Sequence, residues 1–362
     1  MSFISKKSNV ELFKDIYNDP DSKSLYKIFS EFILLAFYNK ELPRHYFSKF
    51  LFKKDITNIK DYFSNKFLDA NIKTYFNDYS VSEILENKLF FDLFYSQFSF
   101  NLPKNLMYNH ENVFVINNER IETKSLIDFK NLLKIVFNNN PELNSIIIKK
   151  TYSSYGGDKI FKLTRSQFFK EDSDKIISLY KNVLKAGFLF QTTIIQHKNL
   201  DKLNPSCLNT LRFDTFIDNT GKIDIISGYL RMSINNSYVD NASQGGCFVG
   251  VDILNGKLKK KGFLKFTHSG TRLLSFHPIT KVVFENFQIP YFEKAKEMVL
   301  NAASYLPGLR LVGWDIGITE SGPILVEGNS WYNAHGNDLT VEGYGSNPIF
   351  NKVLLEFQEK RQ

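Results

Sequence analysis

Apolar residues recur three and four apart through SLYKIFSEFILLAFYNKELPRHYFSKFLFKK, with Pro43 as a break. This period predicts helices over residues 1 to about 75. The stretch 81–109, VSEILENKLFFDLFYSQFSFNLPKNLMYN, reads as a helix running through Lys88, then an extended segment near Leu102-Pro103. Ile146 to Lys149 is a strand, Tyr152 to Asp158 a turn rich in Ser and Gly, and Lys159 to Leu163 a second strand. Thr164 to Ala186 has helical periodicity, with Gly187 placed to cap it. Phe188 to Ile195 is a strand. Asn209 to Ile217 and Lys222 to Ser233 are strands joined by Asp218-Asn219-Thr220-Gly221, and a glycine-containing loop, Asp240 to Gly246, leads into the strand CFVGVDI. Pro290 to Leu306 is a helix with proline near its first turn, closed by Pro307-Gly308. Ser330 to Asp338 reads as a loop.

The chain is organised around Arg310 to Asn329, RLVGWDIGITESGPILVEGN, where two apolar runs flank Glu320-Ser321-Gly322. Such a pattern predicts a β-hairpin. Across a three-residue loop Thr319 sits opposite Pro323, which sets Asp315 opposite Glu327, with Asn329 on the same face as Glu327. Opposed Cβ atoms lie about 4.5–5.5 Å apart, so the two carboxylates repel unless a proton or cation intervenes. Two carboxylates and an amide suit a hard cation such as Mg²⁺. The same spacing is also met by the polar face of an ordinary hairpin, and a four-residue loop would shift the register by one.

Composition bounds the picture. At 362 residues, 43% apolar and 23% charged, the chain buries a large core and divides into subdomains. The 35 Phe and 18 Tyr accompany many Lys, Asn and Ile, a skew that coding bias produces, so they do not by themselves mark a binding surface. A net charge of +8 and a pI near 9.1 favour anionic partners. The basic run Lys257 to Lys261 reads as a solvated hairpin, not a nucleic-acid patch. Cys207 and Cys247 form neither a metal spacing nor a disulfide framework, which fits a reducing cytoplasm. The N-terminal stretch lacks the apolar core of a signal peptide, and Phe32 to Tyr38 is too short to span a bilayer.

Several residues carry candidate chemistry. Gly156 and Gly157 let backbone N–H groups approach phosphate oxygens, and Lys149 in the preceding strand would reach an α- or β-phosphate; Gly-Gly turns are nevertheless common. A strand such as Phe188 to Ile195 offers backbone groups to an adenine edge. Arg212 and Arg231 lie in apolar strands, where burial is costly without an anion; each is otherwise a surface or structurally paired arginine. The first 75 residues show no chemistry and read as a helical cap, or as an aromatic and basic surface resting on a membrane or partner.

Taken in order, CLNTLRFDT (207–215), GYLRMS…VDNASQGG (228–246) and VGWDIGIT…GPILVEGN (312–329) resemble the ATP-grasp superfamily. More narrowly, residues 80 to 345 are similar to its sugar-transfer-associated proteins of polysaccharide biosynthesis. The resemblance implies an α+β fold, two α+β subdomains clamping ATP between antiparallel sheets, with a helical N-terminal region over 1–78, a lid subdomain over 79–188 and a C-terminal subdomain over 189–362. It implies phosphate contacts from Lys88 and Lys149, and a lid of Tyr155, Gly156 and Gly157. It implies an adenine hinge of Gln191, Thr192, Thr193 and Ile194, with Gln196 near the ribose. Asp315, Glu327 and Asn329 match the ligands of Mg²⁺, two ions being expected, and Arg212 and Arg231 would stabilise the transferring phosphoryl group. Substrate contacts are expected from Asn209, Asp240, Asn241, Gln244, Trp331 and His335. Three positions depart from the usual pattern: Lys150 follows the lid lysine where proline is common, Gln191 replaces an acidic residue, and the lid has only two glycines.

The chemistry so implied is carboxylate–amine ligation through an acylphosphate, joining an amino acid or similar amine to a sugar derivative, with nucleotide- or lipid-linked sugars as partners; no nucleic acid is expected, and the setting is expected to be cytoplasmic, with the inner face of the membrane as an alternative. Two alternatives stay open: a kinase of a sugar or polymer on the same scaffold, and a non-catalytic module binding an anionic polymer.

Overall fold

The computed structural model describes residues 6–152, 160–170, 173–235 and 246–359. Two compact units emerge, both built on antiparallel sheets. Unit 1 takes Met1–Ser82, Gln196–Pro323 and Gly328–Gln362; unit 2 takes Glu83–Ile195 with Ile324–Glu327.

Unit 2 holds six strands: β1 (Asn105–His110), β2 (Val113–Ile116), β3 (Glu119–Glu122), β4 (Ser145–Lys150), β5 (Ile160–Thr164) and β6 (Gly187–Thr192), in the order β3-β2-β1-β6-β4-β5. The turn joining β2 to β3 is Asn117-Asn118, both at positive φ (50° and 65°), which matches the twist of a tight hairpin. Side chains alternate along a strand. Ile146 and Ile148 of β4 and Phe188 and Phe190 of β6 therefore point to one face, into a core with Phe129, Leu133 and Val136. Those three come from the helix Leu126–Asn139, which starts at a Ser125/Asp128 capping box. On the opposite face lie Ile147, Lys149, Leu189 and Gln191, paired Ile147 with Gln191 and Lys149 with Leu189.

Three expectations are corrected here. The helix through Lys88 is two helices, Tyr79–Glu86 and Lys88–Tyr95. The Asn87 side chain breaks the run by accepting from the Leu89 and Phe90 N–H groups. Helical Thr164–Ala186 resolves into Arg165–Phe169 and Ser173–Val183. Gly187 caps neither; it opens β6, where an added Cβ would meet Thr151 Oγ1 at 2.6 Å.

Unit 1 holds β7 (Thr210–Ile217), β8 (Ile223–Ser233), β9 (Gly246–Val251), β10 (Leu258–Leu264), β11 (Leu273–Leu274), β12 (Leu311–Thr319) and the two ends of β13 (Gly322–Asn329), whose Ile324–Glu327 belong to unit 2. Their order is β11-β10-β9-β8-β7-β12-β13. Phe213 and Trp314 point to one face, and the helix Phe292–Ser304 packs there through Phe292. The other face carries a row of direct partners, Asp315, Arg212, Tyr229 and Gly250, on four successive strands. Over this row lies the helix His335–Thr340, in a stretch expected to be a loop. Thr340 would meet a Cβ on Gly250 at 3.1 Å, and Tyr229 one on Gly336 at 2.9 Å.

The hairpin β12–β13 is present, but its turn is two residues, Glu320-Ser321. Gly322, at φ +125°, already belongs to β13. The turn is thus one residue shorter than the three-residue loop read from the sequence.

The N-terminal helices pack into unit 1 with Tyr229, Phe248, Phe266 and Leu339. Two buried lysines fix them there. Lys49 donates to Asp338 and to the Phe63 carbonyl, and Lys73 donates to the Tyr332 carbonyl and to Asp69. Among the described residues, no helix is long and apolar enough to cross a membrane.

Candidate active site

On the unit 1 face, Asp315 is 1% exposed and accepts from two arginines. Arg212 grips both carboxylate oxygens, Nε to Oδ1 and Nη2 to Oδ2 at 2.9 Å. Arg231, two residues beyond Tyr229 on β8, donates from Nη2 to Asp315 Oδ2 at 2.6 Å. Its Nε and Nη2 also donate to Thr210 Oγ1 at 3.0 and 2.9 Å. Burial works against the Arg212 charge, but the Asp315 carboxylate outweighs it and raises the pKa. Two guanidinium groups thus converge on the one Asp315 carboxylate with their donors in fixed orientation, a geometry that also suits an anion.

Asp214, two residues from Arg212, lies on the same face and escaped the sequence reading. It is fully buried and accepts from Ser227 Oγ, Tyr344 OH and, at 3.3 Å, Tyr332 OH. Burial raises its pKa, against the pull of these hydroxyls. Asn337 Nδ2 supports Ser227 at 2.8 Å, and Lys73 Nζ stands 4.6 Å over the Tyr332 ring. An aspartate in phase with an arginine along an apolar strand was the available signal.

The unit 2 face gathers a second set. The Lys88 N–H donates to the Thr151 carbonyl at 2.8 Å, which ties the start of the helix Lys88–Tyr95 to the chain just beyond Lys149. Lys88 Nζ lies 3.3 Å from Glu327 Oε2, both side chains half-buried. From the same helix Asp92 points at the sheet, accepting from Gln191 Nε2 at 3.0 Å and Asn105 Nδ2 at 3.1 Å. Burial raises the Asp92 pKa, while those amides and the nearby Lys149 charge oppose the rise.

The hinge residues divide. Gln191 is buried with its amide on Asp92. Thr192 closes a two-way pair with Lys104, its N–H donating to the Lys104 carbonyl and its Oγ1 accepting the Lys104 N–H. Thr193 Oγ1 donates to the Ser145 carbonyl at 2.9 Å. Thr192 N–H is thus already used within the chain.

Gln196 and Asn209 lie in unit 1, buried against each other. The Gln196 carbonyl oxygen accepts two Asn209 N–H groups, and its amide nitrogen donates to Asp201 and the Asn204 carbonyl. Every donor and acceptor of Gln196 is therefore used, and it anchors β7 instead of addressing a ribose. Asn209 is 0% exposed, so a substrate contact from it has no surface to use. Trp331 packs 6.5 Å from Tyr79, and His335 edge-on to Phe248 at 6.3 Å. Tyr155, Gly156, Gly157, Asp240, Asn241 and Gln244 lie outside the described residues.

The sugar-transfer associated ATP-grasp family profile matches residues 68–344, most of the chain. The chain belongs to the sugar-transfer-associated ATP-grasp family. Among solved structures, D-alanyl-alanine synthetase A of Vibrio cholerae O1 biovar eltor matches with a TM-score of 0.47 and 14% identity, over 78% of this chain and 67% of its own. D-alanine–D-alanine ligase of Bacillus anthracis matches at 0.41 and 12%, over 79% and 71%. No curated protein matches significantly.

ATP-grasp proteins bind ATP with Mg²⁺. Among the described residues no three His, Cys, Asp or Glu side chains converge on one point. Asp315, Glu327 and Asn329 supply only oxygens, as a hard cation needs. A carboxylate has about four lone-pair positions, and two arginines already occupy three on Asp315. Asp315 is thus committed chiefly to holding the two arginines.

Proposed function

We propose that the protein is an ATP-dependent carboxylate–amine ligase that joins an amino acid or similar amine to a sugar derivative in surface polysaccharide biosynthesis. The observation that carries this reading is the pairing of Arg212 and Arg231 around the single Asp315 carboxylate. It holds two cations in fixed orientation.

Lys88 and Lys149 would hold the phosphates of ATP, and 193–195 the adenine edge. Arg212 and Arg231 would take up the charge that develops on the transferring phosphoryl group. Mg²⁺, held by Glu327 and Asn329, would neutralise charge on the phosphate oxygens. The substrate carboxylate attacks the γ-phosphorus and ADP leaves, giving an acylphosphate. The amine then attacks the acyl carbon, phosphate leaves and an amide remains. Positioning and electrostatics suffice for both steps. Acceptors would be nucleotide- or lipid-linked sugars met in the cytoplasm.

The test is a screen of amino acids against nucleotide- and lipid-linked uronic acids and amino sugars, reading ADP, phosphate and product mass. A ligase releases phosphate only when carboxylate and amine are both present. A product that retains the phosphoryl group identifies a kinase and ends the ligase reading.

A further inference from the structure

The helices α1 (Asn9–Asn18) and α2 (Leu25–Asn39) turn one apolar side inward and a second outward. On α2, Ile28 and Leu35 enter the core. Directly opposite, Tyr26, Phe29, Ile33 and Phe37 form a stripe at helical spacing, with Tyr26 82% and Phe37 80% exposed. On α1, Phe13 and Tyr17 are exposed in the same way. A water-facing helix ordinarily keeps that side polar, and a helix apolar all round is a covered one.

The charges around the stripe say what covers it. The one acidic residue of α2, Glu31, is buried and paired with Lys23 and the Tyr46 hydroxyl. The exposed ionisable residue of α2 is Lys27. Beyond its C-terminal end stand the exposed Lys40 and Arg44, and Lys60 lies 5.0 Å over the Tyr38 ring. Lys14 is exposed on α1, where Glu11 is the exposed acid and caps Ser8. Around these aromatic and aliphatic side chains the exposed cations Lys14, Lys27, Lys40 and Arg44 outnumber the exposed acids Glu11 and Asp21, a balance that matches the interface of an anionic bilayer, where rings sit at headgroup depth and lysines meet lipid phosphates. A second copy on the same stripe would set lysine against lysine.

We infer that α1 and α2 dock the protein on an anionic lipid surface, with the Tyr26–Phe29–Ile33–Phe37 stripe inserted in the interface. The inference is independent of the reaction proposed above.

The test is flotation of the full chain with vesicles of phosphatidylglycerol mixed into phosphatidylcholine, against phosphatidylcholine alone. Binding is expected to the anionic vesicles, to weaken with salt, and to fall by roughly tenfold or more in Phe29→Glu/Phe37→Glu. Leu254→Glu, at an equally exposed position outside the stripe, should bind as the parent does. Absence of vesicle binding by the parent, or equal binding by the double variant, overturns the inference. So does a concentration-dependent dimer in sedimentation that the same double variant dissolves, which would assign the stripe to a second copy.

Discussion

Arg212 on β7 and Asp315 on β12 stand directly opposite each other, joined by two hydrogen bonds between one guanidinium edge and both carboxylate oxygens. The pair is buried, so its parts are not separable. Asp315→Asn keeps the shape and removes the charge, leaving Arg212 without its counterion. We predict a loss of about 3–5 kcal/mol in urea unfolding. Arg231→Lys, at a half-buried position that keeps a cation, should cost about 1–2 kcal/mol. Equal losses would show that the buried Asp315 charge contributes no more than the half-buried Arg231.

Lys49 and Asp338 are 289 positions apart in the chain and form the same kind of buried pair. Lys49→Ala should destabilise by about 3–5 kcal/mol, because Asp338 would keep its charge and lose its partner. Adding Asp338→Asn should recover part of that loss; a strictly additive double mutant would count against the pairing.

How far the sequence reached follows from residues such as these. The strands β4, β6, β7, β8, β12 and β13 were legible because each is a run of apolar side chains between turn residues. The family resemblance was legible because it rests on those same strands. Strands β1 to β3 were not: NLMYNH, VFVI and ERIE are short and polar at alternate positions, and only pairing defines them. Lys49, Lys73 and Asp214 were missed because burial of a charge is decided by a distant partner, not by neighbours in sequence. The hairpin's turn was miscounted because Gly322 can take a strand position at positive φ, where Thr319 Oγ1 secures it by donating to the Gly322 carbonyl.

Lys149 should contribute to nucleotide affinity. Removing one charge-assisted contact is worth about 1.5–3 kcal/mol, so Lys149→Ala should weaken ATP binding by roughly tenfold to a hundredfold in calorimetry. Unchanged affinity would remove Lys149 from the phosphate contacts.

Burial, aided by the Lys49 charge, holds the His45 pKa down at about 4, against an ordinary 6.5. Between those values the unfolded chain binds a proton that the folded chain refuses. Stability should therefore fall as pH drops from 6.5 toward 4, by up to about 1.4 kcal/mol per pH unit for this group. His45→Gln should flatten that limb in urea unfolding at successive pH values; an unaltered limb would show that other groups set it.

The proposed function makes Glu327, 3.3 Å from Lys88, part of a magnesium-dependent ATP site. Calorimetric titration of ATP into the protein, with Mg²⁺ and with the metal chelated, and again with Glu327→Gln, tests it most directly. The prediction is saturable binding that needs Mg²⁺ and weakens at least about tenfold in the variant while the fold is retained. No binding by the parent, or binding indifferent both to Mg²⁺ and to Glu327→Gln, would contradict it.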